Sequence, residues 1–267
     1  MSRIAKTFER LRGEGRGGLI TYVTAGDPDL GRAPEVLRAL DRAGADLIEV
    51  GVPFSDPIAD GPAIQRASER ALAGGSHLGA ALDLVAAVRA DVRAPLVLFT
   101  YLNPVIRMGL DVFAARAAAA GVDGVLLLDL PIEESAATRA TLDGCRLDQV
   151  FLLSPTTTDV RLAEAARLGR GFLYAISRLG VTGARASVAS TARPLVERVR
   201  AVTALPVAVG FGVSRPEHVA EILAFADAVV VGSALVDVIG QTAAAGGDVP
   251  KAVGDFVRWL RPVGRAS

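Results

Sequence analysis

The chain has 267 residues, 51% hydrophobic and 22% charged, and its 29 basic and 29 acidic side chains cancel to a formal net charge of zero. That composition suits a globular protein with a large core, and with no basic block it argues against nucleic acid as a partner. No apolar run approaches the ~18 residues of a membrane helix, the charged segment Ser2–Leu11 has no signal-peptide apolar region, and the single cysteine, Cys145, allows no internal disulfide, so the expected setting is the reducing cytoplasm.

The first expected element is a helix over Ile4–Arg12. The glycines that follow it, Gly13 to Gly18, fit a G-x-G-x-x-G pattern but come after a helix and before a strand, the reverse of a dinucleotide fingerprint. A strand is expected at Leu19–Thr24, a helix at Arg32–Arg42 and a second strand at Asp46–Val50. That strand carries Glu49 among apolar residues, where an ionised carboxylate is costly unless paired or solvated. A loop rich in Pro and Gly then runs to Pro62 and holds Asp56 and Asp60. Further on, the expected helices are Leu78–Ala90, Val112–Ala120, Glu133–Leu142, Val160–Arg167, Arg193–Val202 and Pro216–Phe225. They alternate with strands at Leu96–Tyr101, Gly124–Asp129, Gln149–Leu153, Phe172–Ile176, Val207–Gly210 and Ala228–Val231. A short helix should begin at Ser233. A closing helix, Lys251–Leu260, has Phe256, Trp259 and Leu260 at an amphipathic spacing, with Trp259 read as packing.

The strands are continuous apolar runs, not alternating ones, which marks parallel strands buried on both faces. About eight strand–helix units in about 250 residues point to an α/β protein built as one (β/α)₈ barrel over residues 1–267, with extra terminal helices. A doubly wound sheet is the alternative. Ala43-Gly44-Ala45-Asp46 and Ala120-Gly121-Val122-Asp123 share a cadence in which Gly ends a helix and Asp opens a strand, a repeat with no chemistry of its own.

Chemistry is constrained by scarcity. His77 and His218 are the only histidines; both read as solvated surface residues. A zinc site of His and Cys, or a Ser-His-Asp triad, is therefore disfavoured, and carboxylates are left to move protons. Glu49 lies at the carboxyl end of its strand, where barrels do chemistry; its alternative is an ion pair with an Arg. Asp56, Asp60 and Asp129 fit either site residues or turn caps. Tyr101, Tyr174 and Phe211 lie near strand ends, where they suit an aromatic-accepting pocket. Gly210-Phe211-Gly212 and Gly232-Ser233 end adjacent strands, an arrangement that lets backbone N–H groups approach a phosphate. The small-residue loop Ser177–Ser187 is a candidate lid.

Several of these blocks carry a family resemblance: Tyr22-Val23-Thr24-Ala25-Gly26-Asp27-Pro28, the run from Leu47 through Glu49-Val50-Gly51-Val52-Pro53-Phe54-Ser55-Asp56-Pro57-Ile58-Ala59-Asp60-Gly61-Pro62, Tyr101-Leu102-Asn103-Pro104, Asp129-Leu130-Pro131, Ser177-Arg178-Leu179-Gly180-Val181-Thr182-Gly183, Gly210-Phe211-Gly212 and Gly232-Ser233-Ala234. With them the chain resembles the tryptophan synthase alpha subunit family from about residue 4 to about residue 260. The resemblance implies a (β/α)₈ lyase that cleaves indole-3-glycerol phosphate to indole and glyceraldehyde 3-phosphate. It implies Glu49 and Asp60 as catalytic residues. Tyr22, Thr100, Leu126, Tyr174 and Thr182 are implied to lie around the substrate, and Gly183, Phe211, Gly212, Gly232 and Ser233 to hold its phosphate. Tyr22 stands where Phe is frequent. The implied partner is a beta subunit carrying pyridoxal phosphate, in an alpha2beta2 tetramer, contacted through Pro53–Pro62 and Tyr101–Arg107; no cofactor or metal is implied for this chain itself.

Overall fold

Eight short parallel strands, β1 (Gly18–Thr24), β2 (Leu47–Gly51), β3 (Leu96–Thr100), β4 (Gly124–Leu127), β5 (Asp148–Leu153), β6 (Leu173–Ile176), β7 (Val207–Gly210) and β8 (Ala228–Val231), hydrogen-bond in sequence order, and β8 pairs back onto β1 to close a barrel. The closure removes the doubly wound alternative. The computed structural model describes residues 1–176, 188–210 and 212–261.

Each strand alternates its side chains between two cores. Ile20, Leu47, Val97, Leu126, Val150, Tyr174 and Val230 fill the barrel interior. Leu19, Ile48, Leu98, Val125, Phe151 and Val209 face outward, into a second core shared with the surrounding helices. This double burial is why the strands read as unbroken apolar runs. At the amino ends of the strands, helix α1 (Arg3–Gly13) sets Ile4, Phe8 and Leu11 into the barrel floor, where Phe8 packs on Phe172 at 5.8 Å between ring centroids.

The Gly–x–Asp cadence has a physical reason on that floor. Gly44 and Gly121 end helices at positive φ, 94° and 87°. The Asp two residues later turns its carboxylate onto the preceding strand: Asp46 accepts from Leu19 N–H at 3.0 Å and Asp123 from Leu96 N–H at 2.9 Å. Asp227 does the same for Val207 N–H at 2.8 Å. Arginines neutralise them, Arg10 and Arg16 at Asp46, Arg89 at Asp123 and Arg200 at Asp227.

Helices α2 (Ala33–Ala43), α4 (Leu78–Val88), α6 (Leu110–Ala120), α7 (Ser135–Gly144), α8 (Asp159–Leu168) and α10 (Pro216–Leu223) lie within two residues of their expected limits at either end. Two helices were not expected, α3 (Pro62–Ala73) and α5 (Leu102–Met108). Helix α9 (Val188–Arg200) starts five residues ahead of its expected beginning and carries Pro194 inside it. Strand β4 stops at Leu127, because Asp129 turns away to accept Leu102 N–H at 2.6 Å and so caps α5. The helix at Ser233 is not short: α11 (Ser233–Ala244) has 12 residues. In α12 (Val249–Leu260), Leu260 is buried but Trp259 is 53% exposed and packs at a tilt on Phe256, 5.6 Å away between centroids, so the indole is not the buried packing residue expected. No single helix among the described residues is long and apolar enough to cross a membrane.

Candidate active site

Glu49 shares the inward face of β2 with Leu47. The carboxyl is 1% exposed, and its Oε1 has no hydrogen-bond partner among the described residues. Nor does any arginine among them pair with it. Desolvation alone pushes its pKa up to about 8, because nothing nearby compensates the charged form. Glu49 is therefore a neutral acid near pH 7 that becomes a base once it has given up its proton.

Aromatic side chains wall this carboxyl. Tyr22 is the direct neighbour of Glu49 across the β1–β2 ladder, and Phe99 meets Tyr22 edge-on at 5.3 Å. A Cβ on Gly51 would overlap the Tyr22 hydroxyl, and one on Gly210 would overlap the Tyr174 hydroxyl. Each tyrosine thus reaches two residues up the neighbouring strand and lays its phenol on a bare α-carbon. Burial, then the charge of Asp60, drives the Tyr22 pKa upward; burial, then Glu49, does so for Tyr174. Both phenols stay protonated.

Asp60 hangs in the loop between β2 and α3. Burial pushes its pKa up to about 6, tempered by a hydrogen bond from Tyr101. Tyr101 is 2% exposed; its hydroxyl also accepts Ala59 N–H at 3.0 Å, and its ring packs on Phe54 at 4.9 Å. One phenol therefore holds the loop at Ala59 and Asp60 and does not line the pocket expected for it. Asp56 is exposed and only receives the Ser55 hydroxyl at 2.6 Å. It is a turn residue, as is Asp129.

Two strands round the barrel from Glu49, on the far side of β1, α11 follows β8; its N-cap is Gly232, whose missing side chain leaves the first N–H groups of the helix uncapped. Such a terminus attracts anions through its unpaired donors and its dipole. Gly212, beside it, has φ 81°, a conformation that excludes most other residues.

These parts meet in one cavity of about 580 Å³ at the carboxyl ends of the strands. Of the expected site residues, Glu49, Asp60, Tyr22 and Tyr174 line it, together with Gly212, Gly232 and Ser233. Thr100 does not. Val97 and Phe99 occupy the inward phase of β3, so Thr100 points to the helical layer and donates to Tyr101 O at 3.2 Å. Leu126 does face inward, but it is fully buried below the cavity, and Leu128 lines the cavity instead. Phe99 and Leu128 were missed, although counting in twos along each strand would have found both. Thr182, Gly183, Phe211 and the Ser177–Ser187 segment lie outside the described residues. Neither histidine lines the cavity: exposed His77 caps α4, and half-buried His218 accepts the N–H of Ser214, which does line it, at 3.4 Å and is less solvated than expected.

A two-state carboxyl, a second carboxylate and an anion-binding helix end around one aromatic-walled cavity can protonate, deprotonate and hold a phosphorylated aromatic molecule. The comparisons agree with that chemistry. The family model described as "Tryptophan synthase alpha chain" matches residues 8–256. The chain is 53% identical over 243 residues, 91% of either chain, to the tryptophan synthase alpha chain of Solibacter usitatus. It is 49% identical to that of Geobacter sulfurreducens over 98% of either chain. Among solved structures it is similar to the tryptophan synthase alpha chain from Legionella pneumophila subsp. pneumophila, with a TM-score of 0.90 at 36% identity over 99% of both chains. It is also similar to a chain of Mycobacterium tuberculosis tryptophan synthase, with a TM-score of 0.88 at 41% identity over 97% of this chain and 96% of that one.

Proposed function

The chain belongs to the tryptophan synthase alpha chain family, and from that premise we propose how its own residues carry out the family's reaction, the retro-aldol cleavage of indole-3-glycerol phosphate to indole and glyceraldehyde 3-phosphate. Neutral Glu49 donates its proton to indole C3, which turns the ring into an electron sink. The positive charge spreads to the ring nitrogen, where ionised Asp60 stabilises it. Glu49, now a carboxylate, takes the proton of the C3′ hydroxyl as the bond between C3 and C3′ breaks. Its electrons return to the ring, the hydroxyl carbon becomes the aldehyde, and Glu49 ends protonated as it began. The phosphate sits on the uncapped N–H groups of α11 beside Gly212, with Gly232 and Ser233 at the helix end; Phe211 and Gly183 complete the family's phosphate pattern, and Thr182 belongs to its substrate side. Tyr22, Tyr174 and Phe99 enclose the indole.

One observation carries this reading: a fully buried Glu49, without a hydrogen-bond partner among the described residues, in the same cavity as Asp60 and the α11 terminus. Members of this family pass indole to a beta subunit. We assign the contact to Pro53–Pro62 and Tyr101–Arg107, where Ile58 is 88% and Ile106 63% exposed, in a cytoplasmic alpha2beta2 assembly whose pyridoxal phosphate belongs to the beta subunit. The deciding experiment measures indole release from indole-3-glycerol phosphate, with and without a beta subunit. Glu49→Gln should abolish release while substrate still binds; turnover retained by that variant would falsify the role of Glu49.

A further inference from the structure

The substrate cavity is poor in positive charge for a site that takes a phosphate ester. Among the described residues lining it, Arg66 is the only cation, whereas Glu49, Asp60 and Asp237 are all potential anions. Arg66 stands one turn into α3, just beyond the loop that carries Asp60. Asp237 stands one turn into α11, the helix whose amino end faces the cavity. Between them the guanidinium Nη2 donates to the carboxylate Oδ1 at 3.0 Å, across the gap that separates the two helices. Both side chains are far from buried, 57% and 44% exposed.

An ion pair with that much solvent around it is held weakly. Arginine, moreover, binds a phosphate as readily as a carboxylate, with two parallel charge-assisted hydrogen bonds. We propose that Arg66 is a further substrate-binding residue, a cation that captures the phosphate dianion at the cavity mouth by exchanging Asp237 for it. Asp237 keeps the guanidinium over the mouth when no phosphate is bound and competes with phosphate for it. The backbone N–H groups of α11 contribute partial charges of short range, while Arg66 contributes a full charge that acts at a distance. The proposal rests on the reading of the ligand as a phosphate ester and adds to it a side chain that this reading does not require.

The test titrates the full-length chain with inorganic phosphate in a calorimeter at low ionic strength, alongside the KM for indole-3-glycerol phosphate. Arg66→Gln should weaken phosphate binding about fivefold, the size of one exposed charge contact, and raise KM by a similar factor. The loss should fall on KM rather than kcat, because the phosphate is remote from the bond that breaks. It should shrink as salt is added, and Arg66→Lys should recover part of it. Asp237→Asn keeps the cation and removes its competitor, so phosphate should bind at least as tightly as in the wild type. These opposite directions separate capture from bracing. A strap between α3 and α11 is broken equally from either end, so matching losses in the two variants overturn the proposal, as does unchanged phosphate affinity in Arg66→Gln. A wild-type chain that binds phosphate but releases no indole refutes the lyase reading and leaves the Arg66 comparison standing.

Discussion

In the proposed reaction Glu49 sets both the activity and a cost in stability, through one physical fact: among the described residues its carboxyl has no compensating partner. Its pKa rises from an ordinary 4.5 to about 8, so the folded chain keeps a proton that the unfolded chain releases within that window. Folding stability should therefore fall as pH rises from about 4.5 to about 8. Glu49→Gln removes the titration and should be more stable than the wild type at pH 8 by roughly 2–4 kcal/mol, with the gap closing towards pH 4.5; thermal melts across that range measure it. In the proposed mechanism, Glu49 starts protonated and Asp60 ionised. A profile of kcat/KM against pH should then be bell-shaped, falling below about 6 as Asp60 protonates and above about 8 as Glu49 ionises. Tyr101→Phe removes the hydrogen bond that holds down the Asp60 pKa, so its acid limb should move to higher pH; an unmoved limb would separate Tyr101 from Asp60. Glu49 stood out in the sequence as a carboxylate in an apolar strand; Asp60 did not stand apart from Asp56 in their Pro/Gly loop, and only the family resemblance singled it out. Thr100 was misassigned because family position outweighed strand phase, which puts Phe99 in the cavity.

At the scale of elements, the helices that were missed are those that bury little. Helix α3 buries only Ala63, Ala67, Ser68 and Ala71, and α5 only Val105, so neither shows an apolar stripe in sequence. Yet α3 continues directly from the Asp60 loop, and its anchor matters. Arg70 donates two hydrogen bonds, at 2.8 and 3.0 Å, to Asp27, whose side chain is wholly buried in the loop after β1. Burial raises the Asp27 pKa and Arg70 offsets this only in part. Arg70→Met strands the carboxylate and should cost about 3 kcal/mol in chemical denaturation. On the floor, burial alone would raise the Asp46 pKa, but hydrogen bonds from Arg16 and from Leu19 N–H outweigh it and hold it below the usual range. Its stabilisation is thus present at neutral pH and lost on acidification. Asp46→Ala should cost about 2 kcal/mol of stability with kcat unchanged; a large fall in kcat would contradict the separation of floor from mouth.

The whole molecule divides its labour along the barrel axis. Aspartates and arginines at the amino ends of the strands hold neighbouring elements together, while the carboxyl ends carry every group assigned to chemistry, as the architecture favours. The barrel was readable from the sequence because each strand is buried on both sides, leaving runs that helical periodicity cannot mimic. Which face of each strand looks inward was not read, and that is where the pocket residues were lost. The two tyrosine–glycine contacts, one on β1–β2 and the other on β6–β7, bear on how such a pocket can change over generations. A Cβ at position 51 or 210 would overlap the neighbouring phenol, so either glycine is constrained while its tyrosine keeps this place. Shortening the tyrosine first opens a route by which the pair can drift together, whereas a lineage that takes the steps in the other order must push a phenol into the pocket before it is lost.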